Sequence, residues 1–147
     1  MAVLRVFSPT DIPAVMKVVK ASLGENYPPS LYLTVHGMFA EGFLVLKDQH
    51  QIVAFVATIE AKPKVARVLM LAVLPQHRRR SYGRLLMNEL YVNCLAHGFD
   101  SIMLEVRKSN TRAIAFYEQQ GFSVTGEIGN FYMNGEDAFT MSKILQS

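Results

Sequence analysis

The residues best suited to chemistry fall in two stretches. The first is Leu71-Ala72-Val73-Leu74-Pro75-Gln76-His77-Arg78-Arg79-Arg80-Ser81-Tyr82-Gly83-Arg84. An apolar, strand-like run ends at Pro75, a basic turn follows, and a helical segment begins near Ser81. Backbone N–H groups at a helix start have no intrahelical partner and carry the positive end of the dipole, so such a turn suits a phosphate or pyrophosphate. Small residues there let an anion approach the backbone, and a side chain added at Gly83 is expected to face it. Taken alone, the three arginines read equally well as a solvated basic turn. Two other phosphate motifs are excluded: there is no Gly-Lys-Ser/Thr end of an NTPase loop and no G-x-G-x-x-G turn.

The second stretch surrounds Glu105. Strand alternation puts Glu105 on one face with Met103 and Arg107, opposite Ile102, Leu104 and Val106. A carboxylate on a sheet covered by helices is costly unless it is paired or functional. The plain alternative is an ion pair with Arg107 or an exposed cation. Asn110 suits a helix N-cap. Tyr117 stands seven residues further on, almost two turns, and returns to the same face, where it is either core or chemistry.

The elements that must position these groups follow from the pattern around them. Residues 4–7 alternate as a short strand. Ile12, Val15, Met16 and Val19 then form the stripe of an amphipathic helix, with Pro13 in its first turn. After Pro28-Pro29, Ser30 is expected to cap a second short helix through His36. Residues 43–47, 52–59 and 67–73 read as strands joined by polar turns at 48–51 and 62–64. A helix over 81–97 ends at Gly98, a strand covers 101–106, and a helix over 110–120 ends at Gly121. Strands at 122–128 and 138–144 close the chain. Short turns between the early strands imply antiparallel pairs, and the later strand–helix–strand passage implies a parallel one. The expected fold is α/β: one mixed, mostly antiparallel sheet with helices on both faces.

At 147 residues and 50% hydrophobic, the chain is expected to form one domain over 1–147 with a sizeable core. Net charge is +3, and Arg78-Arg79-Arg80 equals that whole excess, so a local anion site fits better than a nucleic-acid face. His36, His50, His77 and His97 lack paired ligand spacing, so no metal site is expected. The single Cys94 excludes an internal disulfide, suits a core position, and agrees with a reducing compartment. No secretory leader or bilayer-spanning run is found, so the expectation is a cytoplasmic protein without a membrane partner.

Arg78-Arg79-Arg80-Ser81-Tyr82-Gly83 resembles the Q/R-x-x-G-x-G/A motif of GNAT acetyltransferases, with Ser81 where the first glycine is usual. Residues 104–122, with Glu105, Asn110, Tyr117 and Gly121-Phe122, are similar to the signature of protein N-terminal acetyltransferases of the ribosomal-protein-alanine and NatA catalytic types. Glu25-Asn26-Tyr27-Pro28 and Phe131-Tyr132-Met133-Asn134-Gly135-Glu136-Asp137-Ala138 resemble two further segments of that branch.

The resemblance implies the GNAT fold and acetyl-CoA as cosubstrate. It places the cosubstrate against Leu71, Ala72, Val73, Arg78, Arg79, Arg80, Ser81, Tyr82, Gly83, Arg84, Asn110 and Tyr117. It implies an oxyanion donor in the backbone of 71–73, Glu105 as base for the substrate amine and Tyr117 as acid for the departing thiolate. Glu25, Tyr27 and Tyr132 would flank the substrate, and Glu136 and Asp137 either orient that loop or end a strand. The implied activity is acetyl transfer to the N-terminal α-amine of proteins or peptides by direct attack in a ternary complex. Alternatives are a small-molecule amine, a lysine side chain, or a non-catalytic CoA-binding module. Residue preference, oligomeric state and the need for an auxiliary subunit are not legible. The chain's end at Ser147 leads to an expectation of independent action.

Overall fold

The computed structural model describes residues 2–146, so Ser147 lies outside the described residues. Elements follow in the order β1 (Ala2–Val6), α1 (Ile12–Leu23), α2 (Pro29–Met38), β2 (Phe43–Asp48), β3 (Gln51–Lys62), β4 (Val65–Val73), α3 (Tyr82–His97), β5 (Ser101–Arg107), α4 (Thr111–Gln119), β6 (Ser123–Ile128) and β7 (Ala138–Ile144). The strands form one sheet in the order β1-β2-β3-β4-β5-β7-β6. Every neighbouring pair is antiparallel except β4 and β5, which α3 joins in parallel. The expected mixed, mostly antiparallel sheet is what the chain forms.

Local chemistry explains most boundaries. The α1 stripe buries Val15, Val18 and Val19, and Gly24 ends the helix in the left-handed region. The second helix differs from expectation: Ser30 does not cap it. Pro28 is extended at the N-cap and Pro29 takes the first helical position, where a missing N–H costs nothing and a fixed φ is already helical. Gly98, at φ +96, stops α3 by donating to the Cys94 and Leu95 carbonyls.

The core lies along β3, whose residues from Ile52 to Thr58 are buried at every position. Burial without alternation requires cover on both faces, and α1, α2 and α3 all pack against this strand. Tyr32, Phe43, Phe55, Leu86, Leu90, Ile102 and Leu104 are fully buried. Each such side chain stabilises the fold by about 1.5–3 kcal/mol. Cys94 is buried and free, and burial pushes its thiol up to about 12. It is an inert core residue.

One irregularity shapes the centre of the sheet. Pairing between β3 and β4 steps from Ala57↔Met70 to Thr58↔Val68, which leaves Leu69 as an extra residue on β4. Such a bulge bends the strand that carries it. Parallel pairing of β4 with β5 covers only Val65↔Ser101 through Arg67↔Met103, although both strands continue. Beyond Arg67 they part, and a wedge opens between them.

Candidate active site

The open edge of β4 is one wall of this wedge. Leu74 N donates to Val53 O at 2.8 Å, so its peptide faces β3. Alternation turns the N–H of Ala72 to the same side and those of Leu71 and Val73 towards the wedge. Arg78 Nε reaching Val73 O at 3.3 Å from outside the sheet agrees with that orientation. Leu71 and Val73 thus present free backbone donors, while Ala72 spends its own on β3.

At the end of β4 the chain enters the basic turn. Arg79 and Ser81 both take positive φ, +68 and +63, and α3 starts at Tyr82. Ser81 therefore occupies a backbone shape that favours glycine, which explains why glycine is usual there. Arg78, Arg79, Arg80 and Arg84 are exposed. Asp48, at the β2–β3 turn, anchors the segment from beneath. It accepts the Tyr82 hydroxyl at 2.6 Å and lies 3.6 Å from Arg80 Nη1 and 3.9 Å from His77 Nδ1. The Tyr82 hydroxyl, with the nearby cations, holds the Asp48 carboxyl below its ordinary range. A Cβ at Gly83 would meet Phe116 Cζ at 3.3 Å, so the start of α3 packs closely against α4.

Glu105 stands on the other wall. Ile102, Leu104 and Val106 are buried and Glu105 lies on the opposite face, as alternation requires. Its partner is Arg67 of β4 rather than Arg107: Arg67 Nε donates to Glu105 Oε1 at 3.0 Å and Nη2 lies 2.8 Å from the same oxygen. The Glu105 side chain is 10% exposed.

Arg107 is committed to the loop between β6 and β7. Its guanidinium lies 3.9 Å from the Tyr132 ring centroid and donates to Glu136 Oε2 at 2.9 Å and Asn134 Oδ1 at 3.3 Å. Gly135, at φ +88, donates to Tyr132 O at 2.9 Å and closes the turn, while Asp137 Oδ1 accepts from Asn130 N at 3.0 Å. Glu136 and Asp137 thus orient the loop.

Tyr117 meets this loop from α4. Asn110 caps that helix by accepting the Ala113 N–H at 3.1 Å. The Tyr117 ring packs edge-on against Phe116 and Phe122, with centroids at 5.2 and 5.5 Å and planes inclined by 70° and 63°. Burial, with Tyr132 nearby, pushes the Tyr117 phenol up to about 12. From the α1–α2 loop, the Tyr27 hydroxyl donates to Glu25, which together with burial raises Tyr27 to about 12. Burial also raises Tyr132, and Glu105, Glu136 and Glu25 act on it in the same direction while Arg107 opposes them. Tyr132 thus lies within electrostatic reach of Glu25, Glu105 and Tyr117.

Arg67, Asp48 and Phe116 were not singled out by sequence, and Arg107 only as an ion-pair partner for Glu105. Arg67 carried a signal, as a lone charge in the apolar run from Val65 to Val73. Among the described residues no group of His, Cys, Asp and Glu can hold a metal, and no helix is long and apolar enough to cross a membrane. A cavity of about 650 Å³ lies apart from the wedge, lined by Arg5, Lys17, Lys47, His50 and Gln76 among others.

Comparison with known proteins follows this geometry. A family model described as "Acetyltransferase (GNAT) family" matches residues 12–122. The chain is similar to the [ribosomal protein bS18]-alanine N-acetyltransferase of Salmonella typhimurium, 32% identical over 147 residues and 97% of each chain. It is similar to the N-alpha-acetyltransferase of Sulfurisphaera tokodaii, 28% identical over 145 residues, 90% of this chain and 87% of that one. Among solved structures it matches Ard1 from Thermoplasma volcanium with a TM-score of 0.94, at 34% identity and 99% coverage of both chains.

Proposed function

We propose, from the premise that this chain belongs to the GNAT acetyltransferase family, that residues 1–147 act as one such domain on the α-amine of protein or peptide N-termini. The protein is an acetyl-CoA-dependent N-acetyltransferase, and its relatives include enzymes named for N-alpha and ribosomal-protein-alanine acetylation. The observation that carries the reading is the wedge: free donors on β4, with Glu105 held beside it by Arg67 and Tyr132 within electrostatic reach of both Glu105 and Tyr117.

In this reading acetyl-CoA lies in the wedge with its pyrophosphate at the basic turn, where the N-terminal dipole of α3 and Arg78, Arg79, Arg80 and Arg84 favour an anion. Its thioester oxygen accepts from Leu71 or Val73 N–H, donors that gain strength as negative charge develops. Glu105 takes a proton from the substrate ammonium, directly or through water. The freed amine attacks the thioester carbon. A C–N bond forms, the C–S bond breaks, Tyr117 delivers its proton to the departing thiolate, and the second proton of the attacking nitrogen leaves to restore the Tyr117 phenol, directly or through water. Tyr27 with Glu25 on one side and Tyr132 on the other form a tyrosine-lined mouth that suits a peptide end better than a small amine. The reading includes a cytoplasmic location, in keeping with the free thiol of Cys94.

Initial-rate kinetics over peptides varied at their first two residues test the ternary complex. Intersecting lines for acetyl-CoA and a productive peptide are expected. Parallel lines would mean an acetyl-enzyme and would overturn direct attack.

A further inference from the structure

We infer that Arg67 is a positioning residue for the proton acceptor: it clamps one oxygen of Glu105 and leaves the other free for the substrate amine. The inference rests on Glu105 being the base. Two nitrogens of one guanidinium converge on Oε1, at 3.0 Å from Nε and 2.8 Å from Nη2. Arginine–carboxylate pairs are frequently bidentate, with two parallel bonds that occupy both carboxylate oxygens. Here Oε2 accepts no hydrogen bond from the described residues, yet it is not among the buried polar atoms left without a partner. It is accessible. One oxygen is held and the other keeps contact with solvent.

The fold gives this pair its place. Arg67 pairs with Met103 on the last rung before β4 and β5 part, so it stands at the vertex of the wedge. Glu105 lies two residues further along β5, on the same face as Met103, inside the opening. A glutamate has three side-chain torsions, and fixing such a side chain costs conformational entropy. Arg67 makes that ordering part of folding, so that it is not repeated with each substrate. Arg107, which shares the Glu105 face, cannot serve because Tyr132, Asn134 and Glu136 engage it. Arg67 is itself 33% exposed in its side chain, so its loss does not open the core.

A double-mutant cycle on the full chain tests this with Arg67→Gln, Glu105→Gln, the pair together, and Arg67→Lys. Thermal melting and calorimetric acetyl-CoA binding report whether each variant is folded. Arg67→Gln is expected to lower kcat by about 10- to 100-fold while KM for acetyl-CoA stays near wild type. Arg67→Lys should recover most of the loss. In the Glu105→Gln background, Arg67→Gln should change kcat by less than about twofold, because the two residues act as one unit. Losses that multiply in the double variant would overturn the positioning role, as would an unchanged kcat in Arg67→Gln. Should Arg67→Gln fail to fold, the same cycle with Arg67→Met, which keeps the length of the side chain and removes its donors, decides by the same criterion. Wild-type turnover in Glu105→Gln alone would instead remove the base assignment on which the inference stands.

Discussion

At the residue scale, the two groups proposed for proton transfer differ in how their surroundings prepare them. Tyr117 is pushed up to about 12 because burial penalises the phenolate. The sign follows directly: the protonated form, which an acid needs, is present below that value and lost only above it. Tyr117→Phe removes the hydroxyl and keeps the ring against Phe116 and Phe122. Turnover should fall by about 10²- to 10⁴-fold, with acetyl-CoA affinity near wild type by calorimetry. The wild-type rate should show no basic limb from this phenol up to about pH 10. A variant within twofold of wild-type turnover would place the acid elsewhere. The face on which Glu105 lies was legible, because alternation is a property of the strand itself. Its partner was not: Arg67 is 38 residues away in sequence and adjacent only through β4–β5 pairing. Spacing along one strand suggested Arg107, which Asn134 and Glu136 claim instead, 27 and 29 residues downstream.

At the scale of elements, the start of α3 shows what a motif does and does not disclose. Ser81, at φ +63 and ψ +20, adopts the left-handed shape just before the helix. Holding a residue with a Cβ there costs roughly 1 kcal/mol. Ser81→Gly relieves that cost but adds freedom to the unfolded chain. A net stabilisation of a few tenths to about 1 kcal/mol is expected, seen as a rise in Tm of about 1–4 °C, with acetyl-CoA affinity preserved. A fall in Tm would show that the turn carries no such strain. The strand–turn–helix layout was readable from Pro75, the arginines and the helical pattern beyond them. The sign of φ was not, since it belongs to the geometry of the turn. Gly83 makes the same point differently, for the neighbour its Cβ would press on at 3.3 Å is Phe116, on a helix remote in sequence. The start of α2 was misjudged because a general N-cap preference pointed to Ser30, while Pro28-Pro29 set the boundary through their fixed φ.

At the scale of the whole molecule, the order of strands and helices was legible because each element carries its own period and its own stop signal. The wedge was not. It arises from Leu69, one residue too many on β4 opposite β3, and from parallel pairing that stops at Arg67↔Met103. A bulge has no period, and an apolar run reads the same with or without it. Yet this irregularity frees Leu71 and Val73 to face a ligand and sets Glu105 beside a gap rather than beneath a neighbouring strand. The central claim is that the gap, closed at its mouth by Tyr27 and Tyr132, admits a peptide end and delivers acetyl to its α-amine. The most direct measurement offers the protein and acetyl-CoA two peptides of one sequence containing an internal lysine, one with a free N-terminus and one blocked there. Fragmentation mass spectrometry then locates the acetyl group. Acetylation at the α-amine of the free peptide, with none on the blocked one, is the expected result. Acetyl found on the lysine of the blocked peptide at a comparable rate would contradict it.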